Sequence, residues 1–230
     1  MIHLNYDITD STNLRAKEYI RQNGCDSLLV TANGQTAGRG RQGKSFYSPT
    51  GEGIYMSYAT KTSGSTVGIT TAACVAVARA IETVCGLQVD IKWVNDLYLN
   101  GKKVCGILCE AVTDFEKGKT THVIIGIGIN LTTTEFPDEI KATAGALGID
   151  CKQNLISEIV NNLKNLDLDN YIDYYRNHLL GVGKQVTFIK NGAEYTATIK
   201  GVDDSGGLIV DSDGVEQTLT SGEITLKLDL

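Results

Sequence analysis

The sequence predicts an α/β (α+β) chain that ends in a small all-β unit. Three observations predict it. Apolar strand-like runs and helix-like stretches follow one another through the first 180 residues, the pattern of a layered fold that mixes helices with a sheet. The pair Asn100-Gly101 is the favoured two-residue hairpin turn and joins two strands directly. After Gly181 and Gly183 the pattern changes to short alternating strands, the sign of a small barrel-like domain. The chain is therefore expected to divide into residues 1–180 and 181–230.

The elements follow in order. Ile2–Tyr6 reads as a short strand. Asp10 and Ser11 offer N-cap oxygens, and Leu14, Ala16, Tyr19 and Ile20 mark the apolar side of a helix that Gly24 stops. Ser27–Ala32 is an apolar run that leads into a polar, glycine-rich stretch, and Ile54–Ala59 is the next strand. Thr66–Cys85 is a long helix of small residues ended by Gly86, and Val89–Trp93 is a strand. Around Asn100-Gly101 an ideal hairpin pairs Leu99 with Lys102, Tyr98 with Lys103, Leu97 with Val104 and Asp96 with Cys105. Strand alternation then puts Leu97, Leu99 and Val104 on the core face, and Asp96, Tyr98, Lys103 and Cys105 on the other. His122–Ile129 is a strand with Gly126 and Gly128 inside it, and Leu155–Leu166 and Tyr171–Leu180 are helical. In the C-terminal part, Val186, Phe188, an Asn191-Gly192 turn, Tyr195, Ala197, Ile199, Leu208, Val210, Leu219 and Ile224 mark the strands.

Composition narrows the function. Acids outnumber bases 27 to 21, and residues 201–230 alone account for the net −6. A mildly acidic chain without a basic stripe is a poor nucleic-acid binder. No run approaches about 18 apolar residues, the length of a membrane span. The opening MIHLNYDITD lacks the basic and apolar regions of a leader. A cytoplasmic protein with reduced thiols is expected. Six cysteines without a Cys-x-x-Cys pair, and three scattered histidines, argue against a zinc site.

The 25 glycines against 2 prolines need a reason, and one cluster supplies it. Between Ser27 and Gly51 there is no acid, while Arg39, Arg41 and Lys44 stand among glycines. The segment Gly38-Arg39-Gly40-Arg41-Gln42-Gly43-Lys44-Ser45 satisfies both the P-loop and the dinucleotide-fingerprint patterns. Each pattern needs a helix beginning at the loop to receive the phosphate. Pro49, Gly51 and Gly53 oppose a helix there. Both motif readings fail on context. The chemistry survives them: glycines let backbone N–H groups approach a ligand, and arginine forks suit phosphate or carboxylate.

The motifs, taken together, resemble the biotin protein ligases. Ser11-Thr12-Asn13 comes first, then Gln35-Thr36-Ala37 running into Gly38–Gly43, Lys92-Trp93-Val94-Asn95-Asp96, Lys103-Val104-Cys105-Gly106-Ile107-Leu108, Gly126-Ile127-Gly128-Ile129-Asn130, and finally Gly222-Glu223-Ile224. The order and spacing run over nearly the whole chain. Two positions depart from the family pattern: Val94 stands where proline is usual, and Gln42 where arginine is frequent. The resemblance implies a mixed β-sheet with flanking helices, of the class II aminoacyl-tRNA synthetase and biotin ligase kind, plus a C-terminal SH3-like barrel. It implies the ligase-only form, because little chain precedes Ser11. It also implies a two-step reaction. Biotin and ATP, with Mg²⁺, give biotinyl-5′-AMP and pyrophosphate, and biotin then passes to a lysine of a biotin carboxyl carrier protein.

Carried over residue by residue, the resemblance makes Lys103, Arg41 and Asp96 the catalytic set. Biotin falls to Ser11, Thr12, Asn13, Gln35, Gly38, Arg39, Gly40, Arg41, Lys103 and Gly106. The nucleotide falls to Arg39, Arg41, Lys44, Lys92, Asn95, Lys103 and Asn130. Asp96 pairs with Lys103, binds Mg²⁺ or orients the acceptor lysine. Neither nucleic acid nor membrane is expected as a partner, and monomer and homodimer stay open. The rival readings are a lipoate or octanoate ligase or transferase of the same superfamily, and a non-catalytic biotin-sensing adaptor.

Overall fold

The computed structural model describes residues 1–62, 66–114, 118–168, 170–190, 192–220 and 225–227. The Asn191-Gly192 turn falls partly, and Gly222-Glu223-Ile224 wholly, outside them.

Seven strands form the main sheet: β1 (Ile2–Thr9), β2 (Ser27–Gln35), β3 (Gly53–Lys61), β4 (Asp90–Lys92), β5 (Asp96–Leu99), β6 (Lys102–Asp114) and β7 (Lys119–Asn130). Their order across the sheet is β1-β2-β3-β7-β6-β5-β4. β1 and β2 are parallel, and the remaining pairs are antiparallel. The parallel pair requires a crossover, supplied by α1 (Thr12–Asn23). Gly24 ends α1 with a positive φ of 63°, its N–H on the Ile20 carbonyl at 2.9 Å.

The two faces of the sheet separate cleanly. Leu29, Ile54, Met56, Tyr58, Ile125, Ile127 and Ile129 pack against α2 (Ile69–Cys85), α3 (Lys152–Lys164) and α4 (Ile172–Asn177). Leu28, Val30, Ala59, Val112 and Ile124 pack against Ala16 and Ile20 of α1. Because both faces are covered, the strands read as near-continuous apolar runs. α1 is too short to cover its whole face. Carrying the two-residue period onward from Ala59, Val112 and Ile124 reaches Ser57, Glu110, Leu108, Gly106, Gly126 and Gly128. That part of the face holds the cavity described below.

Two helices are shorter than their apolar patterns suggest. α2 begins at Ile69 behind Gly68, whose φ is 77°. α4 ends at Asn177 because the next residues turn onto the sheet edge. Ile91 donates its N–H to the His178 carbonyl at 2.7 Å and accepts from Leu180 at 2.9 Å.

The C-terminal strands are β8 (Gln185–Lys190), β9 (Ala193–Val202), β10 (Leu208–Ser212), β11 (Val215–Leu219) and β12 (Thr225–Lys227), in the order β11-β10-β9-β8-β12. The expected barrel is here an antiparallel sheet: among the described residues no pairing closes β11 onto β12. Its apolar side chains, including Val186, Phe188, Ile199, Leu208 and Val210, join the same buried cluster as the main core. The Trp93 indole N–H donates to the Gly206 carbonyl at 2.9 Å, and Arg176 Nε donates to Val202 at 3.1 Å.

Candidate active site

A cavity of about 370 Å³ opens beyond the N-terminus of α1, over the glycine-bearing stretch of β6 and β7. That is the size of a small-molecule site. Its lining comes from α1 and β2 on one side, from β4 to β6 on the other, and from the glycine loop between them.

The α1 and β2 side is neutral and hydrogen-bonded. Gln35 Oε1 accepts from the Thr12 N–H at 2.9 Å and from the Thr12 hydroxyl at 3.2 Å, while Gln35 Nε2 donates to Ser48 Oγ at 3.0 Å. The Ser57 hydroxyl, fully buried on β3, donates to Asn13 Oδ1 at 2.6 Å and lies 2.8 Å from the Thr12 hydroxyl. Asn13 Nδ2 donates to Glu110 Oε2 at 2.8 Å and to the Leu108 carbonyl at 3.3 Å. Both Asn13 amide hydrogens are thus used inside the protein, so Asn13 braces the wall and has no N–H left to offer a ligand. Ser11 occupies the N-cap of α1, yet its side chain makes no capping bond, and the residue lines the cavity.

The β4 to β6 side is cationic. Near Asn100-Gly101 the ideal hairpin register holds for Leu99 with Lys102 and Tyr98 with Lys103. It then slips by one: Leu97 faces Cys105 and Asp96 faces Gly106. An extra residue on one strand is a β-bulge, which re-aims the side chains beyond it. Cys105 turns into the core with 0% exposure, and Gly106 takes its place on the cavity face. The expected pairs Leu97–Val104 and Asp96–Cys105 are therefore corrected, while Asp96, Tyr98 and Lys103 all line the cavity as expected. Lys103 Nζ lies 2.7 Å from Asp96 Oδ1. The two form an ion pair within the cavity. Lys102 points away and donates to the Ala142 carbonyl.

Arg41 reaches across from the loop and donates to Asn95 Oδ1 at 3.3 Å; Asn95 in turn donates to the Ile107 carbonyl at 2.7 Å. Burial lowers the Arg41 pKa, and the Asp96 charge opposes the shift. Lys92 lies 5.6 Å from the centre of the Tyr98 ring. Burial pushes the Tyr98 hydroxyl up to about 12, with the Asp96 charge adding to it, so the ring stays neutral. Arg39 Nη1 lies 3.8 Å from Glu110 Oε1, which joins the loop to the Asn13 network.

The loop itself contains no helix beyond a 3₁₀ turn at Arg41–Gly43. Gly40 donates to the Lys44 carbonyl at 2.7 Å, and Gln42 and Gly43 carry positive φ values of 55° and 75°. The tight reversal presents Arg39, Arg41 and Lys44 to the cavity. The absence of a helix from residue 44 to 52 agrees with the rejection of both phosphate-loop motifs.

The biotin/lipoate A/B protein ligase family profile matches residues 6–130, and the biotin protein ligase C-terminal domain profile matches residues 181–227. The chain belongs to the biotin/lipoate A/B protein ligase family. It is 31% identical over 240 aligned residues to a bifunctional ligase/repressor BirA of Bacillus spizizenii, covering 97% of this chain and 74% of that protein. It is 30% identical to a biotin–[acetyl-CoA-carboxylase] ligase of Paracoccus denitrificans, covering 94% and 97%. A biotin protein ligase from Aquifex aeolicus, solved with biotin and ATP, superimposes with a TM-score of 0.82 at 26% identity and 99% coverage of both chains.

Ser11, Thr12, Asn13, Gln35, Arg39, Gly40, Arg41, Lys44, Lys92, Asn95, Asp96, Lys103 and Gly106 all line the cavity. Gly38 and Asn130 lie outside it. A side chain at Gly38 would meet the Phe46 carbonyl at 2.5 Å and Ser48 Oγ at 2.6 Å, so this glycine lets the loop pack. Asn130 is 5% exposed; its Nδ2 donates to the Gly145 carbonyl at 2.9 Å, and its buried Oδ1 meets no donor among the described residues.

Gly126 and Gly128 make room for the protein's own side chains. A side chain at Gly126 would collide with Asn13, and one at Gly128 with the Phe46 ring at 2.5 Å. Sequence reasoning missed Phe46, Ser57, Glu110 and Thr143. A lone serine inside the apolar run of β3 was the readable signal for Ser57. Nothing local marks the others.

Proposed function

We propose that the chain is an ATP-dependent biotin protein ligase that forms biotinyl-5′-AMP and transfers biotin to a carrier lysine. One observation carries this reading. A single cavity joins a neutral hydrogen-bonding wall, Ser11, Thr12 and Gln35, to five cations, Arg39, Arg41, Lys44, Lys92 and Lys103, around one lining carboxylate, Asp96. An uncharged ureido head needs full hydrogen bonding when buried. A carboxylate meeting a triphosphate needs concentrated positive charge.

In the first step a biotin carboxylate oxygen attacks the α-phosphorus and pyrophosphate leaves. Arg39, Arg41 and Lys103 hold the two anions together and offset the charge that develops at phosphorus. In the second step the neutral lysine amine of the carrier attacks the acyl carbon and AMP leaves. Lys103 donates to the acyl and phosphate oxygens, and the 38–45 loop shields the mixed anhydride from water. Lys92 and Lys44 meet the outer phosphates, and Asn95 aims Arg41. Asn130, outside the cavity, braces the 143–147 backbone through its bond to the Gly145 carbonyl and is not assigned to the nucleotide.

Mg²⁺ fits the residues present. It commonly binds through one or two carboxylates plus substrate phosphates. Among the described residues Asp96 is the one carboxylate that lines the cavity, ion-paired there with Lys103. With ATP the ion would neutralise phosphate charge. On this reading residues 1–180 catalyse, residues 181–230 form an SH3-like companion, and the carrier is a biotin carboxyl carrier protein. The enzyme acts in the cytoplasm.

The family includes lipoate ligases as well. Biotin is favoured because residues 181–227 match the biotin ligase C-terminal domain. Calorimetric titration tests the choice: biotin binds, lipoate does not, and pyrophosphate appears only when biotin, ATP and Mg²⁺ are all present. Tighter binding of lipoate would refute the substrate assignment. Failure of either acid to elicit pyrophosphate would refute the ligase.

A further inference from the structure

Away from the cavity, the last residue of α2 meets the first cap of α3. Cys85 ends one helix and Cys151 is the N-cap of the other, 66 residues later. Their Sγ atoms are 3.0 Å apart, closer than ordinary packing of about 3.5–4.0 Å between carbons. Closing to a bond of about 2.05 Å requires a movement of about one ångström. The helices are already packed side by side, with Asn162 Nδ2 donating to the Ala76 carbonyl at 3.0 Å. Both thiols are half-buried and open to small reagents, whereas Cys74 and Cys105 are fully buried.

We propose that Cys85 and Cys151 are a modification site: a dithiol that a low-molecular-weight disulfide oxidises to an intramolecular bond stapling α2 to α3. The Cys151 thiolate attacks one sulfur of the reagent. A mixed disulfide forms and one reagent thiolate leaves. Cys85 then gives its proton to solvent and attacks the Cys151 sulfur, displacing the second reagent thiolate. Two protein thiols are oxidised and one reagent disulfide is reduced to two thiols, so electrons and protons balance. Burial and the adjoining Cys151 sulfur push the Cys85 thiol up; attack in the reverse order gives the same bond and the same balance.

The position gives the bond a consequence. Cys151 is where the segment after β7 enters α3. That segment clamps the Lys103 backbone: the Thr143 carbonyl accepts the Lys103 N–H at 2.8 Å, and Gly145 donates to the Lys103 carbonyl at 2.9 Å. A staple at Cys151 anchors the far end of the segment that holds Lys103.

Peptide mapping without reduction, after exposure of the folded chain to millimolar oxidised glutathione, tests this. One cross-linked peptide pair, Cys85 with Cys151, is expected, with Cys74 and Cys105 recovered as thiols after unfolding. The oxidised protein melts several degrees higher, because a long loop is closed in the unfolded state, and dithiothreitol reverses the rise. Cys151→Ser shows neither the cross-link nor the rise. Recovery of both cysteines as free thiols, or as glutathione adducts without a cross-link, overturns the proposal. So does a cross-link that forms equally well in urea.

Discussion

Lys103 Nζ stands over Gly106, 2.7 Å from Asp96 Oδ1 and 3.4 Å from where a side chain on Gly106 would begin. The β-bulge that slips the hairpin register produces this arrangement, since a regular hairpin would put Cys105 beneath the ammonium. A residue with no side chain, set below a cation of the cavity, leaves room for a ligand to reach both the ammonium and the carboxylate.

Lys103→Ala should fold normally and lose adenylate formation by about 10²–10³-fold, the usual effect of removing one preorganised electrostatic donor. Pyrophosphate release with biotin and ATP measures it. Lys103→Arg should recover little, because a planar fork does not replace a point charge. Unchanged turnover in Lys103→Ala would show that the charge is not used.

Gly106→Ala and Gly126→Ala should fail in different ways. At Gly106 the new methyl meets the Phe46 ring edge at 3.2 Å and the Lys103 side chain at 3.4 Å, both able to yield. Stability should hold while KM for biotin rises. At Gly126 the methyl drives into the Asn13 amide, which is fastened on both sides. A stability loss of about 1–3 kcal/mol is expected from the disrupted bonds and overpacking. Denaturant titration beside steady-state kinetics separates the two. The same phenotype from both variants would contradict the geometry.

Ser57→Ala deletes the donor to Asn13 Oδ1 at a site with 0% exposure. An acceptor left unsatisfied there should cost about 1–3 kcal/mol. Biotin should bind more weakly, because Thr12 and Asn13 lose a shared partner. Calorimetry gives the affinity and urea unfolding the stability; no change in either would mean that the network relaxes freely.

Acid should loosen the contact between the two sheets, and the single tryptophan reports on it. Partial burial would raise Asp203, but the Ser205 hydroxyl and the Gly207 and Ser205 N–H groups, bonded to Oδ1 at 2.8–2.9 Å, hold it below the usual 3.8. A depressed folded value means stability that is complete above pH 3.8 and lost as pH falls through the lowered pKa. The turn that Asp203 holds carries Gly206, the acceptor of the Trp93 indole. Trp93 emission should therefore change in that acid range, and Asp203→Asn should lack this component. An identical titration in the variant would separate Asp203 from the contact.

The elements themselves were legible because they rest on local rules. Gly24 and Gly86 stop their helices with positive φ of 63° and 65°, and Asn100-Gly101 closes its hairpin. The ordered motifs named the family, and alternation along β5 and β6 correctly put Asp96, Tyr98 and Lys103 on one side of the sheet. The bulge was not legible, since a one-residue slip depends on how β6 settles against β7 and the core rather than on the turn.

By itself, then, the sequence determined the strand and helix order, the cationic glycine loop and the set of polar residues with the right chemistry. Only the tertiary structure decided which of them face the cavity, which brace its wall, and that Gly106 rather than Cys105 lies beneath Lys103. The physical reason is that side-chain direction follows from register and burial. Those are settled by contacts between residues far apart in the chain, such as Ser57 with Asn13, Asn13 with Glu110 and Trp93 with Gly206.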